Sequence, residues 1–174
     1  WPVEGGQPVV VARLPLHPSS DFVIADMDPT WSRFSWPDGR KVHIARLEGA
    51  ALDLASATSV EHERTISAEA FDKQGRQLAT ADKAGTIRVW SLAADAPELT
   101  HTLAGKGGMS ANALMFDPSG SMLAGSGGFL WDLTAPPDTE PLRVKDSFAL
   151  AFSPAGRWLA TGDGWVSLWP LART

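Results

Sequence analysis

Apolar positions in this chain fall in short runs that alternate with small or polar residues. Phe148, Leu150 and Phe152 alternate with Ala149 and Ala151, which predicts a strand with two different faces. One phrase recurs three times: Phe71-Asp72-Lys73-Gln74-Gly75-Arg76-Gln77-Leu78-Ala79-Thr80, then Phe116 to Gly125, then Phe152 to Thr161. Each copy predicts a strand end, a tight turn whose glycine (Gly75, Gly120 or Gly156) can take a positive φ, and a second strand. A further turn then leads to Trp90-Ser91-Leu92, Trp131-Asp132-Leu133 or Trp169-Pro170-Leu171.

A weaker copy lies upstream. Met27-Asp28-Pro29 matches Phe116-Asp117-Pro118, Thr30 to Trp36 reads as the next strand, and Pro37-Asp38-Gly39 reads as a tight turn. Val42 to Leu47 is the closing strand, with Ala45 where the other copies have Trp. Leu47, Leu92, Leu133 and Leu171 recur at intervals of about forty residues, a period that for short strands means propeller blades. The stretch from Leu78 to Trp90 is longer by two than that from Leu159 to Trp169, which is itself longer by two than that from Leu123 to Trp131. Even differences leave the Trp on the same face of its strand, so the hairpins vary on a fixed blade. The expected fold is all-β: a propeller segment of about four four-stranded blades, part of a larger ring.

The Phe-turn-Gly phrase, the Leu-Ala-Thr strand, the Asp or Gly turn and the Trp-x-Leu ending together resemble the Trp–Asp (WD) repeat family over roughly residues 21–174. The resemblance implies blades packed around a central channel and a platform for assembling other proteins. In that family Trp, Ser/Thr, Asp and His form a hydrogen-bonded set within a blade. Thr80, Asp82 and Trp90 match three of the four, as do Thr161, Asp163 and Trp169. The His is expected to be missing, because the family's Gly-His pair before a blade appears as Gly105-Lys106. Only Trp131-Asp132 keeps the dipeptide.

Residues 1–174 are expected to form one unit, with 1–20 a spare outer strand and blades at 21–60, 61–105, 106–145 and 146–174. The last lacks an outer strand, and Val9 to Leu14, β-branched and between two prolines, could supply it at closure. Two copies sharing an eight-bladed ring, completion of the ring by another or longer chain, and a closed four-bladed monomer are the three forms expected. Trp1 in place of Met is expected of a processed or excerpted piece.

Composition narrows the partners. The net charge is −5, with 15 basic residues scattered along the chain, so no nucleic-acid surface is expected. No apolar run approaches the ~18 residues that would span a bilayer, and no secretory-type start is visible. No membrane partner and a cytoplasmic location are therefore expected. There are no cysteines to staple the fold.

Catalytic patterns are absent. No two glycines frame a nucleophile elbow, and a phosphate loop ending at Gly105-Lys106 would need glycine where Thr100 stands. His17, His43, His62 and His101 lie too far apart for a short zinc pair, and His62, between Glu61 and Glu63, reads as a solvated loop charge. Asp26 and Asp28 resemble the start of a calcium loop, but Asp28 aligns with the turn residues Asp72 and Asp117. At the innermost strands, Glu69 and Asn112 are the polar groups of note, a poor acid–base set. No cofactor, metal or catalytic residue is expected.

Eight Trp and no Tyr leave aromatics beyond the repeat's needs, including Trp36, Trp158 and Trp165. Trp36 and Trp165 are expected near hairpin tips on one rim, where exposed Trp commonly anchors a partner. Lys83 and Lys106 are expected on the same rim, steering an acidic partner. The expected function is a non-catalytic protein–protein interaction scaffold. A regulatory or sensor domain of a larger signalling protein is the alternative within binding, and a propeller hydrolase or lyase is the rival from another class.

Overall fold

Strand pairing in the computed structural model follows the repeat. It describes residues 14, 25–48, 51–104, 111–144, 149–162 and 164–171, and all regular elements among them are strands. The first sheet holds β1 (Asp26–Met27), β2 (Arg33–Asp38), β3 (Lys41–Glu48) and β4 (Ala51–Glu61). The second holds β5 (Ile66–Phe71), β6 (Gln77–Asp82), β7 (Thr86–Ser91) and β8 (Glu98–Ala104). The third holds β9 (Leu114–Phe116), β10 (Met122–Gly125), β11 (Phe129–Asp132) and β12 (Leu142–Arg143). Among the described residues the fourth has three strands: β13 (Ala149–Phe152), β14 (Trp158–Gly162) and β15 (Val166–Pro170). Every pair is antiparallel and joins strands consecutive in sequence. The leading strands β1, β5, β9 and β13 neighbour one another in succession, as the inner wall of a propeller does. Most of residues 9–14 lie outside the described residues, and Leu14 is in no strand.

The core lies between blades rather than within them. Leu78, Leu123 and Leu159 are each fully buried, and each pairs across its hairpin with the repeat Trp: Trp90, Trp131 or Trp169. The hairpins differ in length, yet this pair is the same in all three, as even deletions require. Each Phe/Leu/Trp face packs on the opposite face of the blade before it. Phe71, Leu78 and Leu92 meet Val42, Ile44 and Val60. Phe116, Leu123, Phe129 and Trp131 meet Ala68, Ala70, Ala79, Ala81, Ile87 and Val89. Leu159 and Trp169 meet Ala124, Leu130 and Val144. Small residues on one sheet make room for rings on the next, which gives close packing without forcing either backbone.

The turn after each leading strand is built on one carboxylate or hydroxyl. One Asp72 oxygen accepts the backbone N–H of Arg76 at 2.6 Å and of Gln77 at 2.8 Å. Asp117 does the same for Ser121 and Met122, and Asp28 for Ser32 and Arg33. Ser153 does so with its hydroxyl for Arg157 and Trp158. Asp28, Asp72 and Asp117 are buried despite their charge, because these N–H groups replace water. Burial raises the pKa of Asp28 and Asp117, but the hydrogen bonds outweigh it and hold both below the ordinary range.

These turns also touch their neighbours. Arg33 donates to the Gly75 carbonyl at 2.6 Å and to that of Leu92 at 3.0 Å, and Gln77 donates to that of Gly120 at 2.9 Å. Gly75 sits at φ 65° with its α-carbon facing the Asp28 carboxylate, so a methyl there would meet a group already held by backbone donors. Gly164 is at φ 96° with nothing within 4 Å of an added methyl. Gly75→Ala should therefore lower the unfolding free energy by about 2–3 kcal/mol, and Gly164→Ala by only about 1 kcal/mol for the backbone conformation. Urea titration measures both, and equal losses would contradict the turn-to-turn contact.

Candidate functional site

His62 is not a solvated loop charge. It precedes β5, is 2 % exposed, and completes the set of four expected to lack its His. The Trp90 indole donates to the Thr80 hydroxyl at 2.9 Å. His62 Nε2 lies 2.7 Å from that hydroxyl, and Nδ1 lies 3.3 Å from Asp82 Oδ2. With His62 neutral and its proton on Nδ1, every member is matched: indole to hydroxyl, hydroxyl to Nε2, Nδ1–H to carboxylate. The other Asp82 oxygen accepts from Ala84 and Thr86 at 2.9 and 3.0 Å and so fixes the β6–β7 turn. Burial pushes the His62 pKa down, with the Asp82 hydrogen bond opposing it. The sequence signal was present but displaced: His62 stands at the entry to the blade, well before Thr80, with Glu61 in the place of the family's Gly.

The other blades fill the same slot differently. In the fourth, Trp169 donates to Thr161 at 3.0 Å, and Asp163 lies outside the described residues. In the third, Gly125 replaces Thr, and the Trp131 ring lies 3.1 Å from where its β-carbon would be. In the first, Trp36 stands at the Thr80 position and Ala45 at the Trp90 position, on one face of the β2–β3 hairpin. One bulky indole per blade is kept, whichever strand supplies it.

That exchange corrects the expectation for Trp36. β2 runs through Pro37 to Asp38, so the turn is at Gly39-Arg40 and Trp36 lies inside the strand rather than at a tip. It is 6 % exposed and stacked between Phe34 and His43, with ring centroids 6.0 and 5.1 Å away. Trp36 is thus a packing residue. Thr30 to Ser32 also differ from expectation, forming the turn rather than the start of the strand.

Trp165 is on the surface, 79 % exposed in the β14–β15 turn. Lys83 is exposed in the β6–β7 turn. Both turns join second to third strands, so antiparallel topology puts them on one rim. Lys106 lies outside the described residues. The opposite rim has an aromatic that the sequence reading missed. Trp31 takes the position of Gly75 and Gly120, keeps their left-handed conformation at φ 61°, and is 69 % exposed. Such a φ is an outlier for a bulky residue. Aligning Asp28-Pro29-Thr30-Trp31 with Asp72-Lys73-Gln74-Gly75 would have revealed it.

At the inner wall, Glu69 is 6 % exposed and accepts from the Ser35 hydroxyl of the first blade at 3.0 Å. Its other oxygen has no partner. Burial pushes its carboxyl up to about 8, with the Asp26 charge adding to the rise. It borders an open cleft of about 450 Å³ lined by Met27, Pro29, Phe71, Lys73 and Met115. Glu69 works as a neutral strut between two blades. Among the described residues no three His, Asp or Glu side chains gather as a metal site, and no helix is long and apolar enough to cross a membrane.

Thr80→Val should cost about 1–3 kcal/mol, because His62 Nε2 and the Trp90 N–H both lose a buried partner. Leu78→Val on the same strand leaves every hydrogen bond of the set in place, so the diagnostic sign is fast solvent exchange of the Trp90 indole N–H, followed by NMR, in Thr80→Val alone. Glu69 has the opposite pH logic to a paired carboxylate. Its folded pKa lies above the unfolded value, so its contribution is full below 4.5 and is lost as pH rises towards about 8. Melting temperature should then fall between about pH 4.5 and 8 by more in the native chain than in Glu69→Gln. Parallel pH profiles would overturn the neutral strut.

Comparison with known proteins agrees with this geometry. The family described as "WD domain, G-beta repeat" matches residues 56–91 and 145–170. No curated protein sequence matches the chain. Among solved structures, the Myceliophteria thermophila Cps50 (Swd1) β-propeller domain superposes with a TM-score of 0.69 at 14 % identity, over 86 % of this chain. This chain spans 54 % of that domain's length. The first match covers His62, Thr80, Asp82 and Trp90, and the second covers Thr161 and Trp169. The chain thus carries WD repeats at residues 56–91 and 145–170, and its sheets form part of a β-propeller of that type.

Proposed function

We propose that the chain is a non-catalytic protein-interaction scaffold that holds its partner on the rim of the second-to-third-strand turns. The WD-repeat propeller fold supports the general role, since such repeats typically serve as platforms. The observation that carries the specific reading is Trp165, 79 % exposed at the tip of its turn beside Gly164, whose added methyl would meet nothing within 4 Å. A large ring held in water gains most when a partner covers it, which is why Trp dominates interface hot spots. Lys83 on the same rim adds positive charge and favours an acidic partner surface.

The polar groups near the channel favour binding over catalysis. Glu69 already bonds Ser35 across the blade interface, and His62 is fully used by Thr80 and Asp82. His62 is therefore not free to exchange a proton with a substrate.

Trp165→Ala should weaken binding of a partner recovered with the native chain at least tenfold, with the melting temperature unchanged because the side chain packs on little. Lys83→Glu should slow association, and the defect should shrink as salt is added. Titration calorimetry and stopped-flow fluorescence read these effects. A Trp165→Ala chain that binds normally, or one that fails to fold, would remove the proposed rim.

A further inference from the structure

Two carboxyl side chains stand on the inner wall where the repeat elsewhere places apolar ones. Counting back from the residue that ends each leading strand (Met27, Phe71, Phe116 or Phe152), Glu69 takes the place of Ala25, Leu114 and Leu150. Asp26 takes the place of Ala70, Met115 and Ala151. Blade packing therefore calls for neither group, and burying Glu69 costs its hydration.

The two sit in neighbouring blades and act on one another, since the Asp26 charge adds to the burial that pushes the Glu69 carboxyl up. Asp26 is held in place by the Met27 N–H at 2.8 Å on Oδ1 and the Phe71 N–H at 3.2 Å on Oδ2. Glu69 Oε1 accepts from Ser35, but Oε2 is shut off from water and has no partner. An oxygen left in that state, on a side chain the fold does not need, points to a donor that arrives from outside.

Both residues line the open cleft of about 450 Å³. Its apolar lining includes Met27, Met115 and Phe71, and its one basic residue, Lys73, is exposed. Such a cleft suits a cation on a long apolar stem, which covers the walls with methylenes and sets its N–H groups against the carboxyls. A bare metal ion suits it less, because among the described residues no three His, Asp or Glu gather there. Glu69 stays neutral only until a cation faces it, when the charged form becomes the favoured one.

The same rim points to a polypeptide as the source of that cation. Pro29 lines the cleft, and Trp31 follows in the same turn, 69 % exposed and held at φ 61°. Backbone strain in a bulky residue persists where a site makes use of it, and an exposed indole is a common anchor for a protein partner.

We propose that this cleft seats a lysine or arginine side chain of a protein partner, with its cationic head between Glu69 and Asp26 and the adjoining partner residues against Trp31. The site lies on the rim opposite Trp165 and Lys83 and calls for a basic rather than an acidic surface, so either can hold without the other.

The test follows the isotope-labelled methyl groups of Met27 and Met115 by NMR while probes are added. The probes are n-butylammonium, n-butanol as its uncharged counterpart, and a blocked leucine-lysine-leucine tripeptide. Butylammonium should shift both methyl signals to saturation, and butanol should not. The tripeptide should bind at least tenfold tighter than butylammonium, an advantage that Trp31→Ala removes. Glu69→Gln keeps an acceptor for Ser35 and should weaken both cations about tenfold with unchanged far-UV circular dichroism. Asp26→Asn is the second choice, and Lys73→Ala should tighten binding about twofold at low salt. Silent methyl signals, an equal response to butanol, equal affinity for butylammonium and tripeptide, full affinity in both carboxyl variants, or weaker binding in Lys73→Ala would each overturn the proposal.

Discussion

The structure depends on stacking one sheet face on another: the Phe/Leu/Trp face of each blade against the alanine-rich or β-branched face of the blade before it. A four-stranded sheet of this size has too little apolar area to be stable alone, and its hydrophobic stabilisation appears only when a neighbour covers it. The buried leucines Leu78, Leu123 and Leu159 sit at that junction in three successive blades. Other features keep those faces in register. The Asp28, Asp72 and Asp117 turns fix where each second strand begins, and Arg33 and Gln77 tie one turn to the next. A slip by a single position in a turn would move the leucine to the wrong face.

Polar burial in this fold follows the same constraint. Asp28 and Asp117 are buried as anions because backbone N–H groups and neighbouring hydroxyls hold them. One Asp72 oxygen has no partner, since Gln74 stands where Thr30 and Ser119 supply hydroxyls in the other turns. Glu69, with one oxygen bonded to the Ser35 hydroxyl and the other without a partner, has its carboxyl pushed up by burial instead. His62 is also neutral, but within a satisfied chain of four groups. The number of donors within reach decides which form each group takes.

Much of the fold was legible because turn chemistry and strand pattern recur with a blade-length period, and a repeat averages out local noise. Hairpin parity keeps the three Trp on one face of the blade, and the Leu78–Trp90, Leu123–Trp131 and Leu159–Trp169 pairs agree with it. The site was less legible, since exposure turns on small differences in strand length. Pro37-Asp38-Gly39 resembles a turn and so predicts Trp36 at a tip, but Pro37 and Asp38 extend the strand and bury it. The glutamates flanking His62 suggest solvent, yet its ring is buried against Thr80 and Asp82. Trp31 gives no sign of its left-handed φ, since no residue type announces one when glycine is absent.

Equilibrium urea unfolding followed at once by tryptophan fluorescence and far-UV circular dichroism tests the shared core most directly. The indoles of Trp36, Trp90, Trp131 and Trp169 report on all four blades, while circular dichroism reports on the strands. If the core lies between blades, no blade outlasts its neighbour and the two curves coincide in one transition. Two separated transitions, or strands that persist after the indoles are exposed, would mean that each blade is stable alone and would contradict the account.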